Sequence, residues 1–378
     1  MYVYIFAELL LIVMALISQR ATNKQRNAFL FIGCFIWALI FGLRGYNVGN
    51  DTPAYAGFFS CKNVWSGYGT YKDPEQSIEW GYVALNRILS LFSDSATFLF
   101  LVHGFLLFFI IYHLYKNKAN SVMSLLWLMC FSSMLTVMMV ALRQSFSVCF
   151  VLLSILMFSQ LQKGQKLRSS LSNKYFWLGL IFFVFSISIH RSSILFFPLL
   201  IIISFVKFNK ISVYIALSSA LVIALLFSEV LSEVFDMGIM MIGEVDDEKI
   251  SLLADRYKDY MDNPAASLAN ILSTSIPIFL TTYLSKNEEV NSLSFKCLIV
   301  GIVVYLLFSS SPIISRYVLV FIILGYSVVI PRTVNKRPLA FLFYFAVTAY
   351  YLWRAIVRFG DDLDSLNNTY ILYKFFWE

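Results

Sequence analysis

The segment LRGYNVGNDTPAYAGFF, residues 43–59, opens the first long polar stretch of a chain that is otherwise mostly apolar. Arg44 lies at the end of an apolar run, and Asp51 and Tyr55 follow it. Polar side chains gathered at the edge of a lipid bilayer are costly and are usually functional. We therefore interpret the apolar runs as a scaffold that places this segment against other polar residues on the same side of a membrane.

The composition excludes a soluble globular protein. Of the 378 residues, 59% are hydrophobic and 13% are charged, and the mean hydropathy is +0.74. Soluble domains have about 25% charged residues. The sequence therefore predicts an integral membrane protein. Because the apolar runs recur from end to end, we expect a single membrane domain over residues 1–378.

The apolar runs have lengths close to those of membrane-spanning helices, which need about 20 apolar residues in a range of about 17–25. The predicted fold is an all-α polytopic membrane protein with about twelve transmembrane helices. The predicted spans are residues 2–18, 28–43, 97–115, 122–141, 144–161, 175–189, 192–206, 211–231, 266–284, 296–311, 315–330 and 339–357.

The basic residues orient these helices, because cytoplasmic loops are enriched in Lys and Arg. More than half of the 29 Lys and Arg residues lie in alternate connections, at 19–27, 116–121, 162–174, 207–210, 285–296 and 331–338. We predict that these connections are cytoplasmic. Both termini and two long loops, 44–95 and 232–265, then lie on the outer (periplasmic) side. The net charge of +7 then reflects membrane topology rather than a nucleic-acid partner.

Several arginines occur at the outer ends of the predicted spans, where the topology does not require positive charge. The main candidates are Arg44, Arg143, Arg191 and Arg316. Arginine binds phosphate groups bidentately and stays charged at any relevant pH. Together these side chains predict an outer cavity that binds an anion, although any single one of them could instead be an interfacial arginine whose head reaches water.

Three acid–base candidates lie on the same outer side. Asp51 and Glu79 are candidate general bases or ligands for sugar hydroxyls, and His190 is a candidate proton shuttle. Two other interpretations stay open. Asp51 also fits a plain turn, since the G-N-D-T-P sequence at 49–53 consists of turn-forming residue types. His190 fits a hydrogen bond to a helix end equally well.

Five short motifs occur in order along the chain and resemble those of EpsG-like polysaccharide polymerases. Arg44, G-N-D at 49–51 and Tyr55 resemble the family's R…G-T-D…Y segment. The sequence E-W-G-Y at 79–82, followed by L-N at 85–86, is similar to its E-x-G-[YF]…L-N segment. R-Q at 143–144, I-H-R-S-S at 189–193 and S-R-Y at 315–317 resemble the remaining three. Asn50 replaces the usual threonine, so the turn is kept but the hydroxyl is absent.

The resemblance implies a Wzy-type O-antigen or capsule polymerase, a glycosyltransferase of the cytoplasmic (inner) membrane whose active site faces the periplasm. Such an enzyme joins oligosaccharide repeat units that are linked to undecaprenyl diphosphate. The sugar–diphosphate bond supplies the energy, so we expect no cofactor and no metal. The expected partners are the lipid-linked glycans, membrane lipid and a chain-length regulator protein, with no nucleic acid.

The resemblance also suggests roles for the candidate residues. Arg143, Arg191 and Arg316 would bind the diphosphates of donor and acceptor, and Arg44 would help them or hold the loop. One of three residues would deprotonate the attacking hydroxyl: Asp51, Glu79 or His190. Tyr and Trp side chains of the first outer loop would provide platforms for sugar rings, unless they only pack at the membrane interface.

Two other functions remain open. A flippase for the same lipid-linked repeat units should have charged residues midway through several spans, whereas here the charges collect at the outer ends. An O-antigen ligase has the same leaving group as the polymerase, and only the motif resemblance argues against it.

Overall fold

The computed structural model describes part of the chain in enough detail to interpret. The described residues are 2–46, 48, 51–60, 79–118, 120–130, 134, 138–139, 141–160, 172–196, 199–200, 203, 206–242, 268–308, 318–326, 346 and 375. Within these ranges the fold is helical, and an isolated antiparallel bridge joins Arg44 and Phe375. The all-α prediction is therefore confirmed for the described residues.

The chain divides into two compact units, one formed by residues 1–201 with 350–378 and the other by residues 202–349. The prediction of a single membrane domain stays a prediction. The helices of the first unit are α1 (Tyr2–Ser18), α2 (Asn23–Gly42), α3 (Thr52–Ser60), α4 (Trp80–Ser90), α5 (Ala96–Tyr115), α6 (Ser121–Cys130), α7 (Leu142–Phe158) and α8 (Lys174–Ile189), followed by a 3₁₀ helix at Arg191–Leu195.

The second unit contains α9 (Lys210–Ile242), α10 (Leu268–Leu284), α11 (Asn287–Val290), α12 (Leu293–Leu307) and α13 (Leu319–Tyr326). Here α9 packs against α10 and α12, and α12 packs against α13.

The lengths of the helices agree with a membrane protein. Among the described residues, three helices are long and apolar enough to span a bilayer: Asn23–Gly42, Ala96–Tyr115 and Lys210–Phe227. Shorter apolar helices occur at Val3–Ser18, Leu142–Phe158, Lys174–Ile189, Ser275–Leu284 and Leu293–Leu307. Each of these eight helices overlaps a predicted span. The total of twelve spans and the outward orientation of the termini stay predictions.

The two segments predicted as long outer loops contain helices. Residues 44–95 include α3 and α4, and α9 continues to Ile242, beyond the predicted end of its span at residue 231. The spans were predicted from long apolar runs, and helices that are short or partly polar lack such a run.

Helices α3 and α4 are held by a hydrophobic cluster of the first unit. Phe58 of α3 stacks on Tyr82 of α4, with ring centroids 5.9 Å apart. Tyr82 is fully buried in this cluster, which also includes Phe100 of α5, Phe146 of α7 and Ile189 of α8. Burying an aromatic side chain contributes roughly 1.5–3 kcal/mol, so the cluster fixes the start of α4 beside the end of α8.

Candidate functional site

Glu79 lies at the junction of three elements of the first unit. It precedes the first residue of α4, and its carboxylate accepts two hydrogen bonds. Nη1 of Arg143, in the first turn of α7, is 3.0 Å from Oε2. Nδ1 of His190, at the end of α8, is 3.1 Å from Oε1. The structure therefore brings together one predicted arginine and two predicted acid–base residues.

A glycine allows this close approach. Gly81, in the first turn of α4, faces Ser188 of α8, and an added β-carbon would lie 2.6 Å from the Ser188 carbonyl carbon. His190 has an extended backbone conformation, with φ −153° and ψ 112°, between α8 and the 3₁₀ helix. Its N–H still donates to the Ser186 carbonyl, at 3.0 Å. The imidazole is thus held at a fixed break in the helix.

The charge on Glu79 is stabilised by its partners. Burial raises the pKa of this carboxyl, but the hydrogen bond from His190 and the positive charge of Arg143 outweigh burial, and the pKa lies below its ordinary value. The Glu79 side chain is 13% exposed, compared with 28% for His190 and 35% for Arg143. The site is therefore partly desolvated but still open to a ligand.

The hydrogen-bond geometry determines which imidazole nitrogen can act as a base. An ionised carboxylate can only accept hydrogen bonds, so Nδ1 of His190 must carry the hydrogen that it shares with Glu79. In the neutral ring, Nε2 is then the acceptor. Nε2 is therefore the nitrogen of His190 that is available to accept a proton from a substrate.

Arg143 has a further neighbour in α3. Burial lowers the pKa of the Arg143 guanidinium group, but nearby Tyr55 and Glu79 raise it above its ordinary value. The ring of Tyr55 packs edge-on against Tyr82, with centroids 6.0 Å apart. Tyr55 therefore lies beside the guanidinium group that donates to Glu79.

Arg44 has a different environment. It is fully buried, and its guanidinium group donates to the Phe41 carbonyl at 2.7 Å and to the Met139 carbonyl at 2.8 Å. Its Cζ atom lies 4.4 Å from the ring centroid of Phe100. These contacts join the end of α2 to the segment before α7. The expectation that Arg44 helps to bind diphosphate or holds the loop stays a prediction.

A cavity of about 830 Å³ adjoins Glu79 between α4 and α8. This volume is within the roughly 300–1,000 Å³ of small-molecule sites. Its lining is mainly apolar, with Trp80, Val83 and Ala84 from α4 and Val184 and Ile187 from α8, and with Ser188 beside them. Arg87 and Arg191 also line it. Both arginines are exposed.

The remaining predicted residues are placed as follows. Asp51 is exposed, and its carbonyl accepts from Tyr55 N at 3.1 Å at the start of α3. Among the described contacts, none joins the Asp51 carboxylate to Glu79, Arg143 or His190. Ser193, from the I-H-R-S-S motif, is hydrogen-bonded to Ser147 of α7, which ties the 3₁₀ helix to that helix. Arg316 lies outside the described residues.

Sequence reasoning missed Arg87. It was part of a segment predicted as loop, and no motif includes it. A signal was present, because Trp80, Ala84 and Arg87 are spaced at i, i+4 and i+7 and so share one face of a helix. If residues 80–90 had been interpreted as a helix, Arg87 would have been placed on the same helix face as Trp80, the residue next to Glu79.

Comparisons with known proteins bear on the same residues. Neither the curated proteins nor the solved structures yield a match. The model of the EpsG family matches residues 27–375, a range that contains Glu79, Arg143, His190 and the cavity. The resemblance noted from the five motifs is therefore confirmed: this chain belongs to the EpsG family.

Proposed function

We propose that this protein is a polysaccharide polymerase that joins oligosaccharide repeat units linked to undecaprenyl diphosphate, as an O-antigen or capsule polymerase does. The reaction would take place at the periplasmic face of the inner membrane, without a metal ion or cofactor, and a separate regulator protein would control chain length. Membership of the EpsG family supports a role of this kind.

The observation that carries the proposal is the Glu79–His190 pair beside a cavity with cationic and apolar walls. The chemistry requires a base for a sugar hydroxyl and fixed positive charge for a diphosphate leaving group. In the proposed reaction Nε2 of His190 is the base. Arg191, at the cavity wall, supplies part of the positive charge. The apolar lining fits the prenyl chain of the substrate.

The proposed step transfers a glycan between two lipid carriers. A hydroxyl of the acceptor repeat unit attacks the anomeric carbon of the donor glycan, and its proton moves to Nε2 of His190. A new carbon–oxygen bond forms, and the bond between the anomeric carbon and the diphosphate oxygen breaks. Undecaprenyl diphosphate leaves with the electron pair. Glu79 stabilises the imidazolium that forms, and Arg143 holds Glu79 in place.

The test is the banding of surface polysaccharide from a strain that lacks this gene, complemented with the wild type or with His190→Gln. The proposal predicts a ladder with the wild type and core plus one repeat unit with the variant. His113→Gln is the matched control, because this histidine is half-buried and its one described hydrogen bond is with the Phe109 carbonyl of its own helix, at 2.9 Å. It should keep the ladder.

Two results would contradict the polymerase proposal and identify another function. Loss of all O-antigen bands in the deletion strain, with polymer accumulating on the lipid carrier, would identify a ligase. Loss of all bands without lipid-linked polymer on the outer face would identify a flippase.

A further inference from the structure

The backbone of His190 is held on both sides by hydrogen bonds. Its N–H donates to the Ser186 carbonyl at 3.0 Å, one turn earlier in α8. Its carbonyl accepts from the N–H of Ser193, in the 3₁₀ helix, at 3.1 Å. Both bonds lie within one stretch of chain, so they do not by themselves fix His190 relative to Arg143 on α7.

Ser147 of α7 is bonded to both of these serines. Its hydroxyl donates to the Ser186 carbonyl at 2.8 Å and is also hydrogen-bonded to the hydroxyl of Ser193. A serine hydroxyl has a single hydrogen and a carbonyl only accepts, so Ser193 must donate to Ser147. All three serines are buried, and hydrogen bonds in a protein interior are stronger than those in water.

The four bonds form a closed ring that includes the backbone of His190. The ring runs from His190 through Ser186, Ser147 and Ser193 back to His190. Ser147 is the member from α7, and the other three come from residues 186–193. Arg143 lies four residues before Ser147 on the same face of α7, about 6 Å along the helix axis.

Helix α7 therefore contacts both partners of the Glu79–His190 hydrogen bond. It reaches the carboxylate through the side chain of Arg143, and it reaches the backbone that bears the imidazole through Ser147. The separation of these two side chains on one helix is fixed by the helix geometry. A change at Ser147 should therefore move the imidazole relative to Glu79.

We infer that Ser147 is a positioning residue for His190, and that it aligns the imidazole with Glu79 through the Ser186 carbonyl and the Ser193 hydroxyl. This inference rests on the proposed function and adds to it a residue that none of the five motifs contains. Ser147 is fully buried, and the described lining of the cavity does not include it. It acts through His190 rather than on the substrate.

Ser154 provides a matched control on the same face of α7. It comes seven residues after Ser147 and is also buried, and its hydroxyl donates to the Gly179 carbonyl of α8 at 2.7 Å. Ser154→Ala therefore removes the same type of bond between the same two helices, about 10 Å farther along α7. If Ser147 only supported helix packing, the two alanine variants would have the same effects.

The first measurement is the tautomer of His190, which requires no substrate. The chain has three histidines, so nitrogen-15 NMR of protein labelled at its imidazoles gives few signals, and His190→Gln identifies the signals of His190. The wild type and Ser154→Ala should show a single tautomer with the hydrogen at Nδ1. Ser147→Ala should show a mixture of both tautomers, because the ring is no longer held against Glu79. Ser193→Ala opens the same hydrogen-bonded ring and should give the same mixture.

The second measurement separates kcat from KM, with lipid-linked repeat units extracted from the deletion strain as the substrate. We expect Ser147→Ala to lower kcat about tenfold to a hundredfold, since a misplacement of about 1 Å can cost about a hundredfold. Its KM should change by less than about twofold, because no substrate contact is lost. Ser154→Ala should keep the wild-type kcat. Both variants should be folded but melt at lower temperatures, since each loses buried hydrogen bonds.

Three results would overturn the inference. They are a wild type without hydrogen at Nδ1 of His190, a single Nδ1–H tautomer in both Ser147→Ala and Ser193→Ala, and an equal loss of kcat in Ser147→Ala and Ser154→Ala. The last would mean that Ser147 only supports the packing of α7 on α8. An unchanged tautomer in a protein that passes the ladder test would remove only this inference. A mixed tautomer in Ser147→Ala, in a protein that fails the ladder test, would remove only the polymerase.

Discussion

Gly81 of α4 and Ser188 of α8 lie so close that their helices are nearly in backbone contact. A β-carbon on Gly81 would be 2.6 Å from the carbonyl carbon and 2.7 Å from the β-carbon of Ser188, whereas real β-carbons essentially never approach other atoms within 3.0 Å. Glu79 comes two residues before Gly81, and His190 comes two residues after Ser188. This contact therefore sets the 3.1 Å separation of the carboxylate and the imidazole.

Gly81→Ala should separate α4 from α8 and break the Glu79–His190 hydrogen bond. Overpacking of this kind typically costs about 1–3 kcal/mol, so the purified protein should melt at a lower temperature, and the polysaccharide ladder should be lost or strongly shortened. Gly57→Ala is the matched control, since a β-carbon there meets nothing within 4 Å. A Gly81→Ala protein with a normal ladder would show that the close contact is not needed to position the pair.

The ionised state of Glu79 predicts a pH dependence of stability. Burial raises its pKa, but the hydrogen bond from His190 and the charge of Arg143 bring it below the ordinary value of 4.5. A group with a lower pKa in the folded state stabilises the protein above its unfolded pKa and loses this contribution as the pH falls through its folded pKa. The difference in melting temperature between the wild type and Glu79→Gln should therefore be largest near neutral pH.

That difference should shrink as the pH falls through the lowered pKa of folded Glu79, where the carboxylate takes up a proton. Melting curves from about pH 7 to about pH 3, recorded in the same detergent, would measure it. Glu288→Gln, a substitution at an exposed carboxylate in α11, should show little difference at any pH. A Glu79→Gln difference that grows on acidification would contradict the lowered pKa.

The sequence allowed prediction of most helices but not of the contacts between them. Apolar runs mark α2, α5 and α8 because each helix has exposed as well as buried apolar side chains, such as exposed Phe31, Phe109 and Ile181. The helix α4 was missed, since its eleven residues are too few for a span and it lies between polar segments. As a consequence Arg87 was missed as well.

The candidate site was predicted as a set of residues but not as an arrangement. Glu79, Arg143 and His190 were each selected from the sequence, but Glu79 and His190 are 111 positions apart and only the packing of α4 on α8 joins them. For Arg44 the sequence could not predict which way the side chain points. A polar residue at the end of an apolar run can face a cavity or turn inward, and the sequence does not distinguish these cases. The structure turns it inward, onto two carbonyls.

Arg143→Lys tests whether Arg143 acts by positioning Glu79. The lysine keeps a positive charge but lacks the planar fork that donates to the Glu79 carboxylate. We expect a lower kcat with little change in KM for a lipid-linked acceptor, because the misplaced group would be the base rather than a substrate ligand. A rise in KM at constant kcat would instead support the earlier expectation that Arg143 binds diphosphate.

Tyr55→Phe provides a second test of how Arg143 is positioned, since it removes the hydroxyl group beside Arg143. The single substitution should lower kcat by a smaller factor than Arg143→Lys. Two residues that act through one contact are not additive, so the double variant should resemble Arg143→Lys alone. Additive losses would mean that Tyr55 has a separate role, such as stacking on a sugar ring.

Arg44→Lys should reduce stability without changing substrate affinity. The fully buried guanidinium group donates to the carbonyls of Phe41 and Met139, and a single ammonium group cannot reproduce this geometry. Losing one hydrogen bond from a charged group typically costs about 1.5–3 kcal/mol. The melting temperature of the purified variant should fall, whereas its affinity for farnesyl diphosphate, measured below that temperature, should equal that of the wild type. Weaker binding at an unchanged melting temperature would show that Arg44 contacts the diphosphate.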